Sequence, residues 1–337
     1  MMPKERKRPM SANVETMAYQ GEVPWHGLGT KVADDCTAAE MLKASGLDWD
    51  VELVPMIANG LPVTTHKAVM RKRNGHDPRI LGVVGNSYRP VQNRDAFASL
   101  DAIRTSGSVQ FHTAGALGGG EKVWVLCKLP GVIRPLADDP VEKFLLWVNG
   151  HDGGTTLKML FTPVRVVCQN TLGAALSSFK STKVWNEGVE IRHVGNMSAK
   201  TDQAMRALGL SLKAYDAVED VYTRMAHTKI SQSQLKAVLN GLFPYETTDR
   251  MTSDSKVGNA GIQNRIAELA ETGRGTDIKG VHGTAWGLYN AITEYVDHER
   301  VTTGKGLLEV ENRLKSQWFG SGAKIKQAAY ESLASLA

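Results

Sequence analysis

The middle of the chain alternates short apolar runs with turns rich in glycine, aspartate and asparagine. Two such turns, at residues 118–120 and 151–154, each join a pair of runs. Glycine and aspartate accept the backbone angles that a tight hairpin needs, so each pair predicts two antiparallel strands. Because consecutive strands usually lie side by side, the two hairpins predict a four-stranded meander, with strands at residues 109–117, 121–129, 143–149 and 155–161.

A further strand pair and two helices precede the meander. Residues 67–73 and 79–85 each suit a strand, and hairpin-turn residues fill the loop between them. Thr37 suits the N-cap of a short helix at residues 38–44. Asn93 likewise suits the N-cap of a helix whose apolar residues recur at helical spacing.

The run that follows the meander predicts another helix. Thr162 suits an N-cap and Pro163 suits the first helical position. Apolar residues then recur at helical spacing as far as Phe179, which commits one face of this helix to a core.

Polar side chains occupy the other faces of this predicted helix. Arg165 and Gln169 lie four positions apart, so their side chains stack one above the other, and Asn170 follows directly. A cation beside two amides suits a polar or anionic ligand. A helix whose polar residues only bond neighbouring strands explains the same residues, and both interpretations stay open.

Beyond residue 184 the chain is mostly helical. Residues 199–226 and 285–298 place apolar side chains at helical spacing, and a helix from Gln232 stops before Pro244. The predicted fold class is therefore α+β. It consists of a central antiparallel sheet, built as hairpin, helix, β-meander and long helix, followed by a mostly helical C-terminal third.

Positive charge is concentrated in the middle of the chain. Residues 60–200 hold 18 Lys and Arg against 10 Asp and Glu, an excess of eight. Residues 1–59 hold 6 against 9, and residues 201–337 hold 16 against 16. A basic centre between neutral or acidic flanks indicates a phosphate-binding surface, although solvated lysines explain part of any such excess.

Motifs for covalent or metal chemistry are weak in this sequence. The glycine-rich run at residues 115–120 lacks the Gly-Lys-Ser/Thr ending of a phosphate loop, and no Gly-x-Ser-x-Gly occurs. His151-Asp152 falls in a predicted turn, where Asp before Gly is ordinary turn chemistry. Cys168 lies on an apolar stripe. The sequence predicts no catalytic residue, no metal and no cofactor.

The cysteine spacing and the length of the apolar runs predict the cellular location. The three cysteines lie far apart without a Cys-x-x-Cys pair, which argues against a disulfide framework or a thiolate zinc site. No apolar run reaches about 18 residues, the length that a membrane-spanning helix needs. We expect a cytoplasmic protein that does not bind membranes.

Several short segments, spread in order over most of the chain, form a recognisable set. They are Pro24 to Gly29, Leu81 to Gly85, Tyr88 to Asn93, Thr113 to Gly115, His151 to Gly153, Thr162 to Leu172, Gly283 to Trp286, and Glu294 with Tyr295. Together they resemble the uncharacterised phage- and plasmid-like proteins of mobile elements, a domain-of-unknown-function family. The family label describes genomic context and names no reaction.

The predicted order of elements carries a second resemblance. A hairpin, a tyrosine-bearing lead into a helix, an antiparallel meander and a long helix are similar to the β-β-β-α core of single-strand annealing proteins, the Rad, Red-beta, RecT and Erf class. This resemblance implies a ring or filament that holds one DNA strand in a basic groove, with its bases exposed, until a complementary strand pairs. It implies neither a metal nor nucleotide hydrolysis.

We therefore expect a protein that binds single-stranded DNA and anneals strands in phage or plasmid homologous recombination. It would act as a homo-oligomeric ring or filament in the cytoplasm of a bacterial host, and it would not be an enzyme. A phage exonuclease or a host single-strand-binding protein would be a further partner.

The expected DNA contacts combine the polar residues after the meander with cations and an aromatic residue elsewhere in the middle third. Lys158 and Arg165 would contact phosphates, and Gln169 and Asn170 would bond backbone or sugar oxygens. The further candidates are Arg71, Arg73, Tyr88, Arg89 and Lys122.

These expectations divide the chain into three regions. Residues 1–21 form a flexible basic tail, and residues 22–195 form an α+β nucleic-acid-binding core. Residues 196–337 form a helical region that packs on the core or joins subunits.

Two other functions are compatible with the same residues. One is a metal-dependent nuclease that uses His151, Asp152 and further carboxylates. The other is a non-enzymatic mobile-element protein that binds a host partner through its helical third.

Overall fold

The structure is a computed structural model, and it describes residues 14–21, 29–72, 78–105, 109–165, 170–171, 189–196, 218–244, 253–301, 316–317 and 320–337. Its strands are β1 (Val14–Tyr19), β2 (Thr30–Lys31), β3 (Asp50–Ala58), β4 (Leu61–Lys72), β5 (Arg79–Gly85), β6 (Gln110–Leu117), β7 (Lys122–Leu136), β8 (Asp139–Gly150), β9 (Leu157–Arg165), β10 (Asn170–Thr171) and β11 (Val189–Ile191). Its helices are α1 (Ala38–Ala44), α2 (Asn93–Thr105), α3 (described over 218–227), α4 (Gln232–Leu242), α5 (Ser253–Thr272), α6 (Ala285–Glu294) and α7 (Ser321–Ala334).

The fold is α+β with a mixed central sheet, and its helices concentrate in the C-terminal third. The sheet has eight strands in the order β10-β9-β8-β7-β6-β1-β2, with β11 also paired to β9. All of its described pairs are antiparallel except β1 with β2, which is parallel. This parallel pair corrects the expectation of a purely antiparallel sheet.

The predicted meander is confirmed as β6 to β9, with longer strands than the sequence indicated. Strands β7 and β8 pair from Lys122 with Gly150 to Leu136 with Asp139, so their hairpin turns at residues 137–138. The added length includes prolines and a glycine, which weaken a strand signal but are accommodated at the register shifts of this hairpin.

The predicted hairpin at the start of the core is confirmed, but it lies in a different sheet. Strands β4 and β5 pair with each other and with β3 in a separate three-stranded antiparallel sheet. Val14–Tyr19, which were expected in the flexible tail, form β1 and pair with β6. Sequence patterns cannot place a strand in one sheet or another, because that choice depends on distant partners.

The helix predicted from Thr162 is wrong at residues 162–165 and 170–171, which form strands, and the rest of that stretch lies outside the described residues. Strand β9 continues through Arg165, and Thr162 and Pro163 pair with Phe144 and Lys143 of β8. Pairing with a long neighbouring strand outweighs the capping signal, and a short apolar run does not by itself distinguish strand from helix. Pro163 is tolerated because, among the described residues, β11 and β10 pair with β9 only at Leu157–Met159 and at Val164–Arg165.

Local chemistry explains several helix ends. Thr37 caps α1 through a capping box in which its side chain accepts from the Glu40 N–H while the Glu40 carboxylate accepts from the Thr37 N–H. Ser231 and Gln234 form the same box at the start of α4. Asn93 is different, because it is the first residue of α2 and its buried amide bonds other parts of the chain.

One apolar core connects the sheets and the helices. Val125, Leu145 and Trp147 of the meander belong to the same buried cluster as Phe97 of α2 and Trp286 of α6. Burial of each large side chain contributes roughly 1.5–3 kcal/mol. The helical third therefore packs on the sheet.

None of the helices in the described part of the chain is both long enough and apolar enough to cross a lipid bilayer.

Candidate functional site

The turns at one end of the meander meet the small sheet. Gly82 of β5 lies directly against the turn between β8 and β9, where a Cβ atom on Gly82 would lie 2.6 Å from the carbonyl carbon and oxygen of Asp152. Only glycine permits this approach of one backbone to another. This contact brings residues 81–85 and 151–153, two of the segments that form the family resemblance, to one place.

Asp152 holds the turn between β8 and β9. Its Oδ1 accepts from the N–H groups of Gly154 at 3.0 Å and Thr155 at 2.8 Å, and its Oδ2 accepts from the Thr155 hydroxyl at 3.0 Å. Lys122 Nζ lies 3.7 Å from the same carboxylate. These contacts confirm the turn role that the sequence favoured for Asp152.

His151 is fully buried under this turn and belongs to a polar cluster. Its Nε2 lies 3.1 Å from Oδ1 of Asn93 and 3.4 Å from Nδ2 of Asn149, and its ring meets Trp49 edge-on at a centroid distance of 5.3 Å. Burial lowers the pKa of His151 to about 3, with the nearby His193 acting in the same direction. Burial therefore favours the neutral imidazole, which contacts Asn93 and Asn149.

The amides of this cluster join separate elements. Asn93 donates to the carbonyl oxygen of Leu47 at 3.0 Å, and Asn149 donates to that of Val91 at 3.1 Å. The sequence reasoning missed both residues as parts of one cluster. Asn93 was predicted as an N-cap, and its sequence position gave no indication of its buried contacts with Leu47 and His151.

Tyr88 lies in the core and is not exposed for stacking on a base. Its hydroxyl donates to the carbonyl oxygen of Gly150 at 3.0 Å, and its ring stacks on His193 at a centroid distance of 4.9 Å. Burial raises the pKa of Tyr88 well above its usual value, with the charge of Asp152 adding to the effect. Burial lowers the pKa of His193.

Arg71 is also internal, although it was expected on a DNA-binding surface. The residue is 6% exposed, its Nη1 donates to the carbonyl oxygen of Gly119 at 2.9 Å, and its guanidinium lies 5.4 Å from the centre of the Trp49 ring. Arg71 thus ties the small sheet to the turn between β6 and β7.

Four cations from neighbouring chain segments form what we call the basic corner: Arg89, Lys122, Lys158 and Arg192. Lys122 pairs with Gly150, and Lys158 pairs with Val148, so the two lysines lie on one face of the sheet. Arg192 directly follows β11, whose Glu190 is opposite Lys158. By strand alternation Arg192 points to that same face.

Arg89 joins the corner through its backbone. Its N–H donates to the carbonyl oxygen of His193 at 2.7 Å, which places Arg89 beside Arg192. Both arginines are exposed, and Lys158 is half-buried. Asp152 is the carboxylate that lies 3.7 Å from Lys122 in this corner.

Arg192 was missed by sequence reasoning. No motif or periodicity distinguishes it, and only the pairing of β11 with β9 brings it next to Lys158. A count of charges within residues 60–200 includes Arg192 but cannot locate it.

The expected contacts after the meander are partly described. Arg165 ends β9 and is the cross-strand partner of Asn170 in β10, so the two are neighbours on adjacent strands and not on a helix. Arg73 and Gln169 lie outside the described residues. The expected contacts therefore fall into a corner group of Arg89, Lys122 and Lys158, an internal pair of Arg71 and Tyr88, and a strand-end pair of Arg165 and Asn170.

The cations of the basic corner have the charge that binding of an anion needs. Within the described ranges, no three His, Cys, Asp or Glu residues are placed to hold a metal ion. Cys36 and Cys127 are buried, in agreement with a packing role, and burial raises the pKa of the Cys127 thiol. Cys168 lies outside the described residues.

The family of the chain follows from comparison with known proteins. A family model described as a domain of unknown function, DUF932, matches residues 80–318. The chain belongs to this family. No curated protein and no solved structure matches it.

Proposed function

We propose that this chain binds single-stranded DNA and anneals complementary strands as a homo-oligomer, without covalent chemistry. The basic corner is the observation that carries the proposal. It lies within the region that holds 18 Lys and Arg against 10 Asp and Glu. Cations on neighbouring strands can neutralise successive phosphates without reading the bases.

Two features support a single-stranded ligand over a duplex. The lysines of the corner lie on strands β7 and β9 of the sheet, and the corner does not present a helix that fits a major groove. The resemblance to single-strand annealing proteins supports the annealing step and the oligomer. It also supports a setting in phage or plasmid recombination in the bacterial cytoplasm, with a phage exonuclease or a host single-strand-binding protein as a further partner.

The buried polar cluster supports the proposal indirectly. Arg89 and Arg192 flank His193, which stacks on Tyr88, and Lys122 pairs with the Asp152 turn. The backbone that carries the corner is therefore attached to buried residues, and groups whose backbone is held in place lose less entropy when they bind a ligand.

The test measures binding of a labelled oligonucleotide to the full chain at several salt concentrations. Single-strand binding should weaken with salt, with a log–log slope of about −0.7 for each phosphate contact. K158A and R192A should each make this slope shallower by about 0.7, the value of one phosphate contact. K43A removes an exposed lysine of α1 and should leave the slope unchanged. Salt-insensitive binding, no binding, or an equal loss in K43A would overturn the proposal.

A second measurement addresses annealing and assembly. Two complementary oligonucleotides labelled with a donor and a quencher should pair faster with the protein than without it. Particle images should show a ring or filament that changes when single-stranded DNA is added. Loss of the DNA only when magnesium or manganese is present would replace annealing by nuclease activity. Co-purification of a host protein without nucleic acid would favour the host-partner function.

A further inference from the structure

An open cleft of about 440 Å³ lies where the helical third meets the far end of the long β7–β8 hairpin. Its walls include Leu136 and Asp138 from the hairpin end, Ala226 and His227 from the end of α3, and Lys229 and Lys279 from two loops. This volume is in the range of sites for small ligands.

Backbone pairing fixes the position of Lys229. Lys229 forms a bridge with Thr284, and on either side of it Ile230 N–H donates to Gly283 O at 3.1 Å and Ala285 N–H donates to Thr228 O at 2.9 Å. The Lys229 ammonium donates to the carbonyl oxygen of His282 at 2.9 Å. An ammonium has three donors, so this bond leaves two of them for a ligand.

The apolar wall is equally well defined. Gly280 has φ +96°, and a Cβ there would lie 3.2 Å from Cδ2 of Leu136. The loop that carries Lys279 therefore packs closely on the hairpin end. Leu136 and Ala226 give the cleft a surface that an uncharged part of a ligand can cover.

The charged groups of the cleft are mostly cationic. Among the described residues that line the cleft, Lys229 and Lys279 carry positive charge and Asp138 carries negative charge. Lys279 is exposed, and within the described residues it makes no ion pair or hydrogen bond. His227 Nδ1 lies 2.8 Å from the carbonyl oxygen of Thr223, which leaves Nε2 as a further polar group.

We propose that this cleft binds a small organic phosphate, with the phosphate at Lys229 and Lys279 and the organic part on Leu136 and Ala226. The site is separate from the basic corner. The two lie at opposite ends of β8, whose 12 residues span roughly 36 Å at about 3.3 Å each. The proposal therefore does not depend on the proposed function.

The experiment titrates the full chain with dAMP, deoxyadenosine and inorganic phosphate, using calorimetry and thermal unfolding. We expect dAMP to bind and to raise the Tm, inorganic phosphate to bind more weakly, and deoxyadenosine not to bind. K279E should weaken dAMP binding by about tenfold or more. The matched control K236E makes the same charge change at an exposed site on α4 and should leave binding unchanged.

Each contrary result overturns the inference. These results are no dAMP binding up to about 10 mM, equal binding of deoxyadenosine, or an equal effect of K236E. Displacement of dAMP by single-stranded DNA would show that the cleft is part of a DNA-binding surface, and would reject a site for a small ligand. K279A repeats the test without a charge reversal, so misfolding of K279E does not decide the outcome.

Discussion

Trp286 donates its indole N–H to Oδ2 of Asp139 at 2.7 Å, although the two residues are 147 positions apart. Both side chains are fully buried. Trp286 belongs to α6, and Asp139 begins β8 at the turn of the long hairpin. This bond links the helical third to the central sheet in addition to the shared apolar core, and it gives the buried carboxylate a donor.

Trp286→Phe should destabilise the protein. The change removes the indole donor while an aromatic ring remains, and a buried acceptor that loses a partner costs about 1–3 kcal/mol. Urea unfolding would measure the loss. A double-mutant cycle with D139N should show coupling between the two residues, and simple additivity would contradict a direct interaction.

The free energy of unfolding should fall as the pH falls below about 6.5, the pKa of histidine in an unfolded chain. His151 has a pKa of about 3 in the folded chain because it is buried, against about 6.5 when unfolded. The unfolded chain therefore binds a proton between these values that the folded chain rejects, so the free energy of unfolding decreases as the pH drops from about 6.5 towards 3. Burial lowers the pKa of His112 and His193 as well, and both act with the same sign.

H151Q tests this pH dependence. The variant should be less stable than the wild type at neutral pH, because the cluster with Asn93 is altered, but its stability should change less with pH. Urea unfolding at several pH values measures both effects. The control H66Q changes an exposed histidine and should follow the wild-type curve. Parallel curves for H151Q and the wild type would be inconsistent with a buried neutral His151.

Gly82→Ala and Gly85→Ala form a matched pair on β5. A Cβ at position 82 would lie 2.6 Å from backbone atoms of Asp152, whereas a Cβ at position 85 would meet nothing within 4 Å. We expect G82A to lose about 1–3 kcal/mol of stability through overpacking, and G85A to change it by less than about 0.5 kcal/mol. Thermal unfolding compares the two, and equal effects would show that the close backbone contact is absent.

The buried ion pair between Lys326 and Asp297 gives the fourth prediction. Lys326 Nζ lies 2.8 Å from Oδ1 of Asp297, with side-chain exposures of 1% and 2%. Burial lowers the pKa of Lys326, and Asp297 partly opposes that effect. K326M leaves the Asp297 charge without this partner and should cost about 3–5 kcal/mol.

The double variant D297N/K326M supplies the comparison. Removing both charges should restore part of the stability lost in K326M, because a neutral amide costs less to bury than a carboxylate. If the double variant were less stable than K326M, the Asp297 charge would have a stabilising role beyond this pair.

Much of the secondary structure was predictable because its signals are local. The capping box of Thr37 and Glu40 involves residues three positions apart, and the turn at Asp152 is built from contacts within four residues. Such contacts form within one stretch of chain, so the same residues predict them wherever the stretch lies.

The candidate site was less predictable because its members meet through strand register. Lys158 and Arg192 are brought together by β9 and β11, and Arg71 is drawn inward by Gly119 and Trp49. In the sequence, the residues on either side of each of these cations are typical of a cation on the protein surface. Exposure depends on what packs over a side chain, and that information is spread across the whole chain.

The stretch from Thr162 shows where local chemistry ends and tertiary pairing begins. The stretch has a residue suited to capping and a proline suited to a first helical turn, and both are compatible with a helix. Its neighbour β8 offers backbone hydrogen-bonding groups, and Thr162 to Arg165 pair with Phe144 to Val141 of that strand. Turns, caps and net charge thus follow from the order of residues alone. Sheet membership, burial and the assembly of the basic corner follow from partners that are distant in the chain and adjacent in the fold.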